Sequence, residues 1–339
     1  MPYLRLKFLF VLLGCLLLNP GARANRSNGD EADGPQDTTS VTLNHSDQRV
    51  RSSGYQSIAS LGDEFIAVGS AGRIDRISIS GKVQKTEQIE GENFNCVLAD
   101  NQKTIVAGDH GSIYISLDKG VFRKVNSESK NNINAIALFR GFVIAGTDEG
   151  IILLGDVKNS FRKTFIPANG NIVALSATNS DCYGVTDEGE IIHTVDGVNW
   201  DVFNFNEVYA GFYKPCKFTS VLVTENRIAV AGVRNDGSPV LLFSTQGNVW
   251  TDRTLNYTDD QGSAYFPTDS PNSIYYDKDL DLFFLVFDKG KLMKIPSCSH
   301  CNKLAQVSTA NLTGISGNGK TLVMVGENFY IKAVSLDWE

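Results

Sequence analysis

Between positions 184 and 200 the chain reads Gly184-Val-Thr-Asp-Glu-Gly189-Glu-Ile191-Ile-His-Thr194-Val-Asp196-Gly197-Val-Asn-Trp200. Two glycines bracket an acidic turn, apolar residues alternate, and an Asp-Gly turn ends on tryptophan. The first half of this stretch recurs. Val68-Gly69-Ser-Ala-Gly72-Arg-Ile74, Ala107-Gly108-Asp-His-Gly111-Ser-Ile113 and Ala145-Gly146-Thr-Asp-Glu-Gly150-Ile-Ile152 precede it. The second glycines, at 72, 111, 150 and 189, are each 39 residues apart. A fixed period of this size marks a repeat architecture. Looser copies follow: Ala231-Gly232 to Gly237, 48 residues after Gly189; Phe287-Asp288-Lys-Gly290, 53 later; and Val325-Gly326. The longer gaps predict insertions at 206–213 and 257–270, the second rich in loop-forming Pro, Gly and Asp.

Each unit reads as four short strands. Ile133 to Leu138 alternates apolar and polar, Phe142 to Ala145 is wholly apolar, a glycine turn leads to Ile151–Leu154, and the more polar Phe161–Phe165 ends the unit. Four strands per 39 residues, with helical periodicity nearly absent, describe a propeller blade. The expected fold is all-β: a seven-bladed β-propeller of four-stranded blades in a single domain over 41–339. Blades begin near Tyr55, Phe94, Asn132, Asn171, Lys217, Asn272 and Asn311. The last has three strands before Glu339, so residues 41–50 are expected to add the fourth and close the ring, hiding a sheet edge. The glycines serve tight turns, where positive φ favours glycine. A phosphate cradle would need a helix after them, and a strand follows.

The second half of the opening stretch, Thr194, Asp196, Gly197 and Trp200, has two partners. Ser116, Asp118 and Gly120 precede Phe122, and Ser244 and Gly247 precede Trp250. Hydroxyl and carboxylate can bond turn amides, glycine permits the reversal, and the aromatic anchors the hairpin. These turns resemble the Asp-box of neuraminidase-type (BNR) repeats. Over about residues 55–337 the combined pattern resembles the photosystem II stability/assembly factor-like propellers. That resemblance implies an exported seven-bladed propeller whose boxes are folding elements away from any active centre. Gln246 replaces the acid of one box, blades three, six and seven lack it, and a photosynthetic partner is not carried over.

Composition sets the compartment expected. Arg5 and Lys7 precede the apolar run Phe8–Leu18, and Ala22-Arg23-Ala24 follows, which reads as a signal peptide cleaved at Ala24. The run is too short for a membrane span. Cleavage leaves 28 basic and 38 acidic residues, a net −10, which disfavours nucleic acid and anionic membrane. The product is expected to be secreted, or periplasmic in a bacterial host. Residues 25–40 read as a disordered acidic segment. Asn25, Asn44, Asn256 and Asn311 lie in Asn-x-Ser/Thr sequons, candidate glycosylation sites in a eukaryotic host. Five cysteines remain. Cys298 and Cys301 suit a local disulfide, Cys182 and Cys216 a second, leaving Cys96 a buried thiol.

The function expected is a monomeric, secreted, non-catalytic scaffold, without cofactor, that binds an extracellular protein or glycan. Loops on a rigid frame carry recognition, and interfaces favour aromatic residues. The insertions supply Tyr209, Phe212, Tyr213 and Tyr265 as the candidate interaction surface, against the plainer reading that they pack their own loops. The alternative is a sialidase-like Asp-box glycoside hydrolase. It would require three convergent arginines and a Tyr–Glu pair; the early Arg-Ile-Pro signature is missing. No catalytic, cofactor or metal residue is assigned, the four histidines forming no ligand pair at useful spacing.

Overall fold

The computed structural model describes residues 52–100, 103–156, 161–258, 263–297 and 302–336. These form seven antiparallel blade sheets in chain order, each a meander, and a two-stranded ribbon, Tyr257–Thr258 with Ala264–Tyr265, in the insertion expected to be a loop. The first strands of the blades begin at Tyr55, Phe94, Ile133, Ile172, Cys216, Pro271 and Leu312, within one residue of the expected positions. Six sheets have four strands, and the seventh has three among the described residues. The segment 41–50, expected to supply its fourth, lies outside the described residues.

The second strand of each blade is apolar along its inner stretch, with polar residues only toward its ends. Blades stack face to face, so both faces of that strand are covered. In Glu64–Gly69, Phe65 and Ala67 face blade seven, while Ile66 and Val68 face blade two. The same alternation in Lys103–Gly108 sends Val106 to blade one and Ile105 and Ala107 to blade three. Seven apolar clusters result, one per seam, including the seam between blades seven and one. No blade buries itself alone; the ring does it jointly. The fourth strands, such as Val83–Gln88, lie outermost and are largely exposed.

Polar latches tie the same seams. The first strand of every blade carries a bulge at its second or a near-second residue: Gln56, Asn95, Asn134, Val173, Thr219, Asn272 and Thr313. A bulge re-aims one side chain, and here most point across the seam. Asn95 donates to the Ile133 carbonyl at 3.0 Å, Asn134 to Ile172 at 3.2 Å, and Asn272 to Leu312 at 2.8 Å. Thr219 donates to Pro271 at 2.6 Å, and Thr313 to Tyr55 at 2.7 Å, which closes the ring. The turn after the second strand is latched too in blades one, two, three and six. Ala71, His110, Glu149 and Lys289 sit in the left-handed region, at φ 57, 54, 61 and 56. Each offers its amide to an asparagine of the next blade: Asn93, Asn132, Asn171 and Asn311. The following glycine is obligatory where the chain comes closest; a Cβ on Gly72 would stand 1.9 Å from the Ile89 carbonyl oxygen.

Candidate functional site

The Thr194–Trp200 turn is a hydrogen-bonded knot. Thr194 Oγ1 accepts from the amides of Asp196 and Gly197, and Asp196 Oδ1 accepts from those of Val198 and Asn199 at 2.8 Å each. Those amides, with the Asn199 side chain, hold the Asp196 carboxyl far below its ordinary range. Trp200 lies half-buried on the seam between blades three and four. In the second turn Ser244 accepts from the Gln246 and Gly247 amides, and the Trp250 indole donates to Gly247. The third differs: Asp118 is exposed at φ 50, and Ser116 donates to the Gly120 carbonyl instead. All three are turns that fix their own hairpins.

The insertion after blade four departs from expectation. It opens with a helical turn, Phe205–Val208, capped by Asn204 accepting from the Glu207 amide. Phe205 is buried, and Tyr209 and Tyr213 pack on it at ring distances of 4.8 and 5.8 Å, with Phe218 behind. The Tyr209 hydroxyl accepts from the Trp250 amide. Tyr209 and Tyr213 are therefore part of the seam between blades four and five and not a free interaction surface, because ring burial there outweighs exposure. Phe212 remains 84% exposed. In the second insertion Tyr265 is exposed, its ring 5.9 Å from that of Tyr257.

The cysteines also correct the sequence reading. Cys182 and Cys216 are unbridged and buried. Cys182 pairs with Thr194 at one end of its blade, whereas the Cys216 carbonyl meets Gly189 at the other. Several strand residues at ~3.3 Å each separate them, beyond the Cα reach of a disulfide. Burial pushes the Cys182 thiol up to about 12 and that of Cys216 to about 11. Cys96 is buried against the Ala107 carbonyl. Cys298 and Cys301 lie outside the described residues, as do Ala24, Asn25 and Asn44. Asn256 is half-buried. The Asn311 amide is committed on both sides, accepting from the Lys289 amide at 2.8 Å and donating to Glu327 at 2.9 Å.

A groove of about 950 Å³ opens where the first-to-second-strand turns of blades five, six and seven meet. Its walls are 222–227, 275–279 with Asp281 and Phe283, and Asn318–Gly319. Tyr275 reaches over blade seven because Gly317 leaves room; a Cβ there would stand 2.5 Å from the ring. The Tyr276 hydroxyl donates to Asp281 at 2.8 Å and that of Tyr275 to Asp277 at 3.4 Å. Burial, then Asp277, pushes Tyr275 up to about 12. Hydrogen bonds from Ser297 and Tyr276 hold the Asp281 carboxyl below the usual range. Asp277 is itself buried and caps its own loop, accepting from the Asp279 and Leu280 amides. Arg227 lays its guanidinium 5.6 and 5.7 Å from the Phe243 and Phe283 rings. The sequence reading missed this groove because its turns are short. The signal was Tyr275-Tyr276-Asp277-Lys278-Asp279-Leu280-Asp281, where aromatics and acids crowd one turn.

The repeat arginines are scattered. Arg73 pairs with Asp75 in blade one, Arg234 with Asp252 in blade five, and Arg253 donates to the Pro296 carbonyl. Arg123 and Arg162 are exposed on outermost strands. Among the described residues no helix is long and apolar enough to cross a membrane.

Stacked meanders latched into a closed circuit define a seven-bladed β-propeller. No family model matches the chain, and no curated protein matches it. Solved structures do, 1467 chains of them, so the architecture by itself singles out no role. The computationally designed Ika8 protein aligns at TM-score 0.60 and 10% identity, over 84% of this chain and 97% of that one. A structure described as YCF48 bound to D1 peptide aligns at 0.62 and 14% identity, over 85% and 95%. At such identities the likeness concerns the fold alone.

Proposed function

We propose that this chain is a non-catalytic interaction propeller that holds an extended segment of another protein in the groove of blades five to seven. The groove carries the reading. It is formed by loops of three blades on a frame latched at every seam, so it is preorganised, and its size suits an inserted segment. YCF48, a propeller of similar fold, has been solved with a peptide bound. A catalytic role of the sialidase type has less support, since Arg73, Arg227 and Arg234 are each engaged with a carboxylate or rings of their own surroundings. The Asp-box kinship of the Thr194, Ser116 and Ser244 turns, export after cleavage at Ala24 and a monomeric state belong to the same proposal as its finer parts; a glycan is the alternative occupant. The knot around Asp196 is what a folding element of that kind would look like.

The test is selection of random displayed peptides on the immobilised protein, followed by binding to Asn226→Trp, which fills the groove mouth from an exposed position. Selected peptides are expected to lose binding to this variant and keep it with Phe212→Ala. Failure to select any peptide, or retention by the blocked groove, overturns the reading; selective capture of oligosaccharides instead would move it to glycans.

A further inference from the structure

We infer that the segment this groove accepts is cationic, with a lysine or arginine side chain seated among Tyr275, Tyr276 and the surrounding carboxylates; this rests on the interaction reading above. Glu225, Asp277, Asp279 and Asp281 line the groove against two bases, Arg227 and Lys278. Of the acids, Glu225, Asp279 and Asp281 are exposed. Arg227 is half-buried and drawn back onto Phe243 and Phe283, leaving Lys278 the one exposed cation among the described lining residues. The walls therefore present an excess of negative charge to an incoming group, and the chain's net −7 adds a field of the same sign.

The aromatic chemistry agrees. The hydroxyls of Tyr275 and Tyr276 are spent on Asp277 and Asp281, so what these half-buried residues offer a ligand is ring surface, on Tyr276 the side turned away from Phe283, which packs on it at 4.7 Å. A ring face beside carboxylates suits an ammonium or guanidinium, which gains both cation–π attraction and ion pairing. The protein already uses this contact: Arg227 on its two phenylalanines and Arg73 over Phe329 at 4.6 Å. An anionic segment would meet three exposed carboxylates with a single lysine to answer them.

The experiment is fluorescence anisotropy of the full chain with matched short peptides containing lysine, arginine, only uncharged residues, or glutamate. Lysine or arginine peptides are expected to bind at least about tenfold tighter than the uncharged one, equivalent to about 1.4 kcal/mol, and to weaken as salt rises. Glu225→Gln combined with Asp279→Asn is expected to reduce their affinity about tenfold while leaving thermal unfolding unchanged, since both carboxylates are exposed. If the uncharged or glutamate peptide binds the groove equally well, the cationic inference falls and the interaction reading stands. Binding of cationic peptides that ignores the double variant also overturns the inference, because the site is then elsewhere. If no peptide of any charge binds, both fall.

Discussion

The seam between blades three and four is closed by asparagines, that between blades four and five by a plug of aromatic rings. At the first, Asn134 on its bulge donates to Asp148 at 2.8 Å and to the Ile172 carbonyl at 3.2 Å, and Asn171 accepts the Glu149 amide. At the second, the bulge carries Val173, which has no polar atom and is buried in the apolar cluster. The missing bonds come from the insertion. Asn206 donates to the Glu188 and Cys216 carbonyls at 3.0 and 2.9 Å and accepts from the Cys216 amide at 2.7 Å. Phe205, Tyr209 and Tyr213 fill the space beneath. A repeat position can thus be vacated when a neighbouring segment supplies the same bonds, and an insertion that looks like a binding loop is then consumed by the frame.

The comparison can be tested by substitution. Phe205→Ala should have the largest effect, about 3–5 kcal/mol in chemical denaturation, because a buried ring leaves a cavity the plug cannot refill. A loss below ~1 kcal/mol would mean that the insertion covers the seam without supporting it. Asn134→Ala and Asn206→Ala should come next and resemble each other, at about 1–3 kcal/mol, since each strands buried partners of its seam. A large difference between them would break the equivalence. Asn311→Ala extends the test to the seam of blades six and seven, with an expected loss of ~1 kcal/mol. Because its amide is committed to Lys289 and Glu327, peptide mapping of protein made in eukaryotic cells should find position 311 unglycosylated. Phe212→Ala should be the mildest, within about 0.5 kcal/mol, and so separates the exposed tip of the insertion from its structural base.

Much of this was legible from residue order. The unbroken apolar run Phe65-Ile66-Ala67-Val68 announces a strand covered on both faces, and the glycine spacing announces how often it recurs. The bulge asparagines were visible as letters but not as latches. Their function depends on a register shift and on the carbonyl of the next blade, some 38 residues on for Asn95 and Asn134. The fates of Tyr209 and Phe212 could not be told apart in sequence. They stand three positions apart in one loop, and only the packing of Phe205 and Trp250 decides which ring is buried. The unbridged Cys182 and Cys216 follow the same logic: pairing needs proximity, and the meander places them at opposite ends of the strands.

By itself the sequence determined the repeat and which strand of each unit would be buried. These follow from backbone hydrogen bonding and from side chains alternating along a strand, both local properties. The tertiary structure alone decided which aromatics are exposed, how each seam is latched and where a groove opens. Each of those depends on atoms of different blades meeting across the ring, a relation that no stretch of chain contains.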